Sequence, residues 1–179
     1  YHGKFHLPAA TGRGCPYHCT YCCNSELMAL YENKGTFVRR ASAEVTTRYL
    51  QESVQKYHVD HIEFWDEEFD GPTSVIEEFR DLYKERVNVP FSIFKTASLG
   101  RLENMQLLKE AGCPRILVGV ECGDEEFRRK VLKKPISNED YIEFFDAVHE
   151  MGFETISSNM INLPGETPEI ARATIALNR

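Results

Sequence analysis

The sequence contains 179 residues and carries a formal net charge of −7 at pH 7, with 42% hydrophobic and 27% charged residues. This composition is that of one ordinary globular domain over residues 1–179, and it excludes a disordered chain, a collagen and a coiled coil. The acidic balance argues against a general nucleic-acid-binding surface, because phosphate binding requires a basic face. No apolar run is long enough to span a bilayer, so we expect no membrane partner.

Strand-like and helix-like segments alternate along the chain. The predicted strands are 5–11, 61–65, 89–97, 116–120 and 155–161, and the predicted helices begin near Ser42, Thr73, Leu102, Ser137 and Thr167. The hydroxyl residues among these helix starts are suitable N-caps, and apolar residues recur at helical spacing behind them. Parallel strands need crossover helices, so five such βα units predict an α/β fold with a parallel sheet.

Polar or reactive side chains follow each predicted strand at the point where it ends. Cys15, Asp66, Lys95, Glu121 and Asn162 lie at or just beyond these strand ends. Both open doubly wound sheets and barrels place their sites at the carboxyl ends of strands. Since every strand contributes here, the pattern favours a barrel or partial barrel.

Four of the six cysteines lie in one short stretch, at Cys15, Cys19, Cys22 and Cys23. Clustered cysteines in an α/β chain indicate metal binding or redox chemistry in a reducing compartment, which predicts a cytoplasmic protein. The first three, spaced C-x3-C-x2-C, can hold three irons of a cubane cluster and leave the fourth iron open to a small molecule. The alternative is a zinc site that adds His18 or Cys23, although no second ligand pair follows in the sequence.

The cysteine stretch, Gly14 to Cys22, resembles the cluster loop of the radical S-adenosylmethionine (SAM) superfamily. Three further segments resemble motifs of that family in the expected order: Phe-Trp-Asp-Glu-Glu-Phe at 64–69, Val-Gly-Val-Glu-Cys-Gly at 118–123 and Ile-Asn-Leu-Pro-Gly-Glu-Thr at 161–167. The resemblance covers essentially the whole chain and implies a six-unit partial (β/α) barrel. Five units are visible, so we expect the sixth beyond Arg179, together with flanking domains.

The resemblance also implies an enzyme and its cofactors. Cys15, Cys19 and Cys22 would ligate a 4Fe–4S cluster, and SAM would chelate the open iron through its amine and carboxylate. Reduction of the cluster would cleave SAM to methionine and a 5′-deoxyadenosyl radical, which takes a hydrogen atom from an unknown substrate. The electron would come from an external flavodoxin- or ferredoxin-like donor.

Four residues at the strand ends and in the loop have implied roles toward SAM. Tyr21 resembles the family aromatic that lies against the adenine, and Glu121 resembles the residue that binds the ribose hydroxyls. Lys95 would neutralise the SAM carboxylate, and Asn162 stands where the family often has glycine. The competing interpretation of Tyr21 is plain packing, and that of Glu121 is a structural ion pair with Lys95 or Arg115.

The acidic segment Asp66, Glu67 and Glu68 stands where the family places its acceptor for the SAM ammonium group. Carboxylates can supply the charge-assisted hydrogen bonds that an ammonium group needs. The sequence does not distinguish which of the three reaches SAM, and a solvated acidic turn is the alternative.

The motif set most resembles two branches of the family. One carries a cobalamin domain and performs methyl transfer or ring chemistry, and the other comprises methylthiotransferases. We favour the cobalamin branch, with cobalamin bound in a domain outside these residues. A rival from another class is a non-catalytic iron–sulfur electron-transfer module.

Two remaining features are interpreted structurally. The aromatic pair Phe64 and Trp65 is expected in the core. Arg39 and Arg40 either face a phosphate or form a solvated edge, and we favour the solvated edge.

Overall fold

A computed structural model describes residues 3–179, in which five strands form one parallel sheet. In chain order these strands are β1 (His6–Ala9), β4 (His61–Phe64), β5 (Phe91–Lys95), β6 (Arg115–Glu121) and β7 (Glu154–Asn159). A separate antiparallel ribbon pairs β2 (Gly12–Arg13) with β3 (Arg39–Arg40).

Helices follow the strands of the sheet. Those of the described residues are α1 (Asn24–Tyr31), α2 (Ala43–Tyr57), α3 (Thr73–Arg86), α4 (Leu102–Glu110), α5 (Glu125–Lys130), α6 (Asn138–Glu150) and α7 (Pro168–Leu177). No helix within residues 3–179 is both long and apolar enough to cross a membrane.

The strand order, β1-β4-β5-β6-β7, follows the chain without a reversal. In a doubly wound sheet the strand order reverses at a switch point, which places helices on both faces. When each new strand is instead added on the same side of the previous one, right-handed crossovers keep all the helices on one face. The structure therefore confirms the predicted α/β fold and favours the barrel-type arrangement over the open one. The other face of the sheet is left for the site.

The core lies between the sheet and its helices. Phe64 and Phe91 from neighbouring strands are fully buried against Tyr83 of α3, with ring centroids 4.8 Å apart for Tyr83 and Phe91. Successive side chains of a strand point to opposite faces, so Trp65 points away from this core. It is 59% exposed and packs against Phe94 on the open face, so its predicted core position is wrong.

The predicted helix starts are largely confirmed by their capping hydrogen bonds. Ser42 accepts a hydrogen bond from the Val45 amide, and Ser137 forms a complete capping box with Asp140. Thr73 is instead the first helical residue of α3, and no side chain caps that helix. Several strand bounds also differ from the prediction by a few residues, and short elements were absent from it: α1, α5, a 3-10 turn at Leu99–Arg101 and the β2–β3 ribbon.

A buried ion network joins the loop after β4 to the end of β5. The Lys95 ammonium group lies 2.6 Å from a Glu68 oxygen and 3.0 Å from an Asp70 oxygen, and the Lys95 and Glu68 side chains are almost fully buried. Burial alone would lower the pKa of Lys95, but the two carboxylates outweigh it and raise that pKa. Burial would likewise raise the pKa of Asp70, but Lys95 and the Asn104 amide lower it overall.

We expect Lys95→Met to destabilise the protein by about 3–5 kcal/mol, because it leaves the buried Glu68 carboxylate without its cation, while Asp70 keeps only the more exposed Arg101 at 3.4 Å. The matched control is Lys130→Met, which removes an exposed helical pair with Glu126 and should cost about 0.5 kcal/mol or less. Urea unfolding measures both. Equal stability of the two variants would show that the Lys95 network does not hold the loop.

Candidate functional site

A cavity of about 340 Å³ opens at the carboxyl ends of β5 and β6, against the cysteine loop. It brings together most of the residues singled out from the sequence: Cys15, Cys19, Cys22, Tyr21, Glu67, Lys95 and Glu121. The inner face of the sheet contributes Phe94 and Leu117 to the wall. Residues more than 100 positions apart thus meet at one strand edge, as expected for a parallel sheet.

The cysteine loop is held at both ends and in the middle. Gly14 has a φ of +87°, and a side chain there would collide with the backbone of Phe37, so the loop leaves the ribbon at a glycine. In the middle, Thr20 donates its amide to the Leu132 carbonyl at 3.0 Å. Immediately after the loop, α1 begins at Asn24.

The three cavity thiols are partly withdrawn from solvent. Burial raises the pKa of Cys15 to about 11, and the negative charge of Glu68 adds to that rise. Burial also raises the pKa of Cys19. Thiols bind metals as thiolates, so metal binding here must displace protons.

The remaining cysteines lie elsewhere. Cys23 is exposed at the start of α1, whereas Cys113 and Cys122 are buried among core residues, and all are free thiols. Within residues 3–179, no three His, Cys, Asp or Glu side chains form a group that could hold a single metal ion. A cluster makes a different demand, because each of its irons takes its own thiolate.

The acidic segment alternates between buried and exposed side chains. Asp66 accepts hydrogen bonds from the amide and hydroxyl of Thr11, which ties it to the end of β1. Glu68 is bound by Lys95 and by the Thr96 amide. Glu67 alone of the three lines the cavity, where one oxygen accepts the Gly14 amide at 3.2 Å.

Glu121 reaches the cavity through an irregular strand end. The pairing of β6 with β7 shifts register between Gly119 and Glu121, and Glu121 has a φ of +69°. A side chain at position 119 would collide with the Glu121 carboxylate, so glycine there leaves room for that carboxylate over the strand. Its ion-pair partner is Lys134 at 3.2 Å, rather than Lys95 or Arg115.

Lys134 is a charged cavity residue that the sequence did not indicate. Its ammonium group donates to the Gly119 carbonyl at 2.6 Å and lies in the loop between α5 and α6. Buried Arg128 organises this loop, because its guanidinium donates to the Ile136 carbonyl and stacks over the Tyr141 ring. Lys134 belongs to no periodic pattern. The one signal in the sequence is that it follows Lys133, which makes a pair of adjacent basic residues.

Tyr21 and Asn162 differ in their relation to the cavity. Tyr21 lines the cavity. Burial is the main cause that raises the pKa of its hydroxyl, and the negative charge of Glu121 adds to the rise. Asn162 has a φ of +62° and is exposed. Its backbone N–H donates to the Glu166 carboxylate, and the residue does not line the cavity.

Known proteins resemble this chain over most of its length. The sequence model of the radical SAM superfamily matches residues 10–177. An uncharacterized methyltransferase of Pyrococcus horikoshii is 24% identical over 166 residues, which cover 92% of this chain and 35% of that protein. Cytidylyl-2-hydroxyethylphosphonate methyltransferase of Streptomyces wedmorensis is 22% identical over 158 residues, covering 86% of this chain and 28% of that protein.

Solved structures share the fold. The cobalamin-dependent SAM radical enzyme OxsB, with aqua-cobalamin and SAM bound, matches with a TM-score of 0.75 and 20% identity over 96% of this chain and 26% of its own. The radical SAM methyltransferase TsrM of Kitasatospora setae, with cobalamin and a [4Fe–4S] cluster bound, has a TM-score of 0.72 and 23% identity. That match covers 98% of this chain and 35% of TsrM.

The chain therefore spans about a third or less of the length of these relatives. The cofactors predicted from the sequence agree with those bound in the solved neighbours, and the family match confirms the prediction of an enzyme. Because the family match extends over nearly all of the described residues, the chain belongs to the radical SAM superfamily.

Proposed function

We propose that this chain is the SAM-cleaving core of a cobalamin-dependent radical SAM methyltransferase. The observation that carries the proposal is the donor set of the cavity: three cysteine thiols line it and Cys23 does not. A cluster held by three thiolates keeps one iron open, whereas electron-transfer clusters take four cysteines. This donor set favours catalysis over a non-catalytic electron-transfer module.

The cavity residues fit the two groups that would share the cavity, a 4Fe–4S cluster and SAM. Cys15, Cys19 and Cys22 would hold a 4Fe–4S cluster, which when reduced supplies the electron that cleaves SAM to the 5′-deoxyadenosyl radical. Oxidation of the thiols would compete with cluster binding, so we place the protein in a reducing compartment, the cytoplasm. The electron would come from an external donor protein.

Glu67 is our candidate for the SAM ammonium group. The Thr11 amide already binds Asp66, and Lys95 and the Thr96 amide bind Glu68. Glu67 faces the cavity, and the loop uses only one of its two oxygens. A carboxylate in this position gives a charge-assisted hydrogen bond to an ammonium group. We assign Asp66 and Glu68 to holding the loop.

Glu121, Lys134 and Tyr21 form the opposite wall, which we assign to the nucleoside part of SAM. Lys134 binds one Glu121 oxygen and the Tyr21 hydroxyl lies beside the same carboxylate, but each carboxylate oxygen accepts more than one hydrogen bond, so Glu121 can also accept one from the ribose. The half-exposed Tyr21 ring beside it offers a face to the adenine. Lys95 is neutralised by the Glu68 and Asp70 carboxylates, so it is not a candidate partner for the SAM carboxylate.

Methyl transfer is favoured by the relatives. Both curated relatives are named methyltransferases, and OxsB and TsrM are cobalamin enzymes. These proteins are about three times as long as this chain or more, so we propose that cobalamin binds outside residues 1–179. A methylthiotransferase is the alternative, and a second iron–sulfur cluster in the purified protein would favour it.

The assignment of the cluster ligands predicts a sharp difference among neighbouring cysteines. Replacing Cys15, Cys19 or Cys22 by Ala removes a thiolate that no other cavity residue can replace. We expect iron and acid-labile sulfide to fall several-fold after anaerobic reconstitution, and SAM cleavage to 5′-deoxyadenosine to be lost.

Cys23→Ala is the matched control, since this exposed thiol lies one residue from Cys22 and outside the cavity. It should retain the iron and sulfide content of the parent protein. Loss of the cluster in Cys23→Ala as complete as in Cys19→Ala would indicate four protein ligands, and the electron-transfer module would replace the enzyme.

A second prediction concerns Lys134. Lys134→Met removes the cation that holds Glu121 and leaves that carboxylate without its partner, so SAM should bind about tenfold more weakly, on the order of 1.4 kcal/mol. Lys133→Met, in the exposed neighbouring position, should leave SAM affinity unchanged. Calorimetric titration of SAM into both reconstituted variants tests this, and equal affinity would remove Lys134 from the site.

A further inference from the structure

The β2–β3 ribbon carries a concentration of positive charge in an acidic chain. Arg13, Arg39 and Arg40 are all exposed, and they line a shallow groove of about 310 Å³. The rest of the groove consists of residues 10–12 and Ala41, so no carboxylate side chain lines it. We call this surface the basic ribbon.

The charges of the basic ribbon are only partly compensated. Arg40 lies 3.6 Å from the Asp66 carboxylate and donates to the Glu68 carbonyl. Arg39 stacks over the Tyr31 ring at 5.1 Å and donates to the Tyr31 hydroxyl, neither of which cancels its charge. Among the described residues, neither Arg13 nor Arg39 has a carboxylate within ion-pair distance, so two positive charges face solvent.

The basic ribbon adjoins the cysteine loop but not the mouth of its cavity. Arg13 precedes Cys15 by two residues, a chain span of at most about 7 Å. None of the three arginines lines the cavity that we assign to SAM. A large partner could therefore rest on the basic ribbon, close to the cluster ligands, without blocking the cavity.

We propose that the basic ribbon is the docking surface for an acidic protein that delivers the electron to the cluster. The proposal rests on the proposed function, because the cluster is the electron acceptor. A reduced flavodoxin-type donor would lose one electron and the cluster would gain it, with no bond formed or broken. An acidic partner surface complements the two uncompensated arginines, and such complementarity steers association and makes it sensitive to salt.

The experiment compares two double variants of the purified protein with equal changes in charge. Arg13→Glu with Arg39→Glu reverses the basic ribbon. Lys56→Glu with Lys84→Glu reverses two exposed lysines in the last turns of α2 and α3, at the opposite ends of those helices from the site. The probe is a flavodoxin. We would measure its Kd at two salt concentrations and the rate at which its reduced form reduces the cluster. Dithionite, a small-molecule reductant, is the control for cluster reduction.

We expect the ribbon variant to bind the flavodoxin at least tenfold more weakly and to lose most of the salt dependence. Cluster reduction should slow with the flavodoxin and stay unchanged with dithionite. The lysine variant should behave as the parent protein. Equal flavodoxin binding by the parent and the ribbon variant, or an equal loss in the lysine variant, would overturn the proposal.

The outcomes separate this proposal from the proposed function. A parent protein that assembles no cluster, or whose dithionite-reduced cluster does not cleave SAM, would contradict the function, while flavodoxin binding would still decide the docking surface. Binding of tripolyphosphate at the basic ribbon, without binding of the flavodoxin, would identify a small-anion site and overturn the docking proposal.

Discussion

The ammonium group of Lys95, buried between the carboxylates of Glu68 and Asp70, sets the geometry of the acidic segment after β4. An unpaired charge is costly in such an environment, so the Glu68 carboxylate stays turned toward Lys95, whereas Asp70 is held by Lys95 and by Arg101 at 3.4 Å. With Asp66 bound to Thr11, Glu67 is left to face the cavity. Lys95 and Thr11 together, by binding Glu68 and Asp66, thereby determine which carboxylate of the segment is available to a ligand.

The fold was predictable because its signals are local and repeated. Each strand was marked by an apolar or alternating run, and the main helices by caps such as Ser42, Ser137 and Thr167, whose hydroxyls accept the hydrogen bonds expected of them. The short elements carry no such signal. A two-residue strand has no pattern, and α1 buries only Asn24, so it shows no apolar stripe. Trp65 was misplaced because an apolar side chain on the open face of a sheet is indistinguishable from a core residue in sequence.

The site was predictable only in part. The structure brings the three spaced cysteines together with Glu67 and Glu121 from the strand ends in one cavity, as the sequence predicted. What the sequence could not show is how charges pair across the fold. Lys134 reaches Glu121 only because Arg128 folds the loop after α5 back over the strand ends, a contact with no counterpart in spacing or periodicity.

The central claim is that three thiols hold a cluster with one iron open to SAM. Electron paramagnetic resonance of the reduced cluster tests it most directly, in anaerobically reconstituted protein with and without saturating SAM. The account predicts that SAM changes the signal, because its amine and carboxylate would occupy the open position that Cys15, Cys19 and Cys22 leave unfilled. A signal identical in the two samples would contradict it.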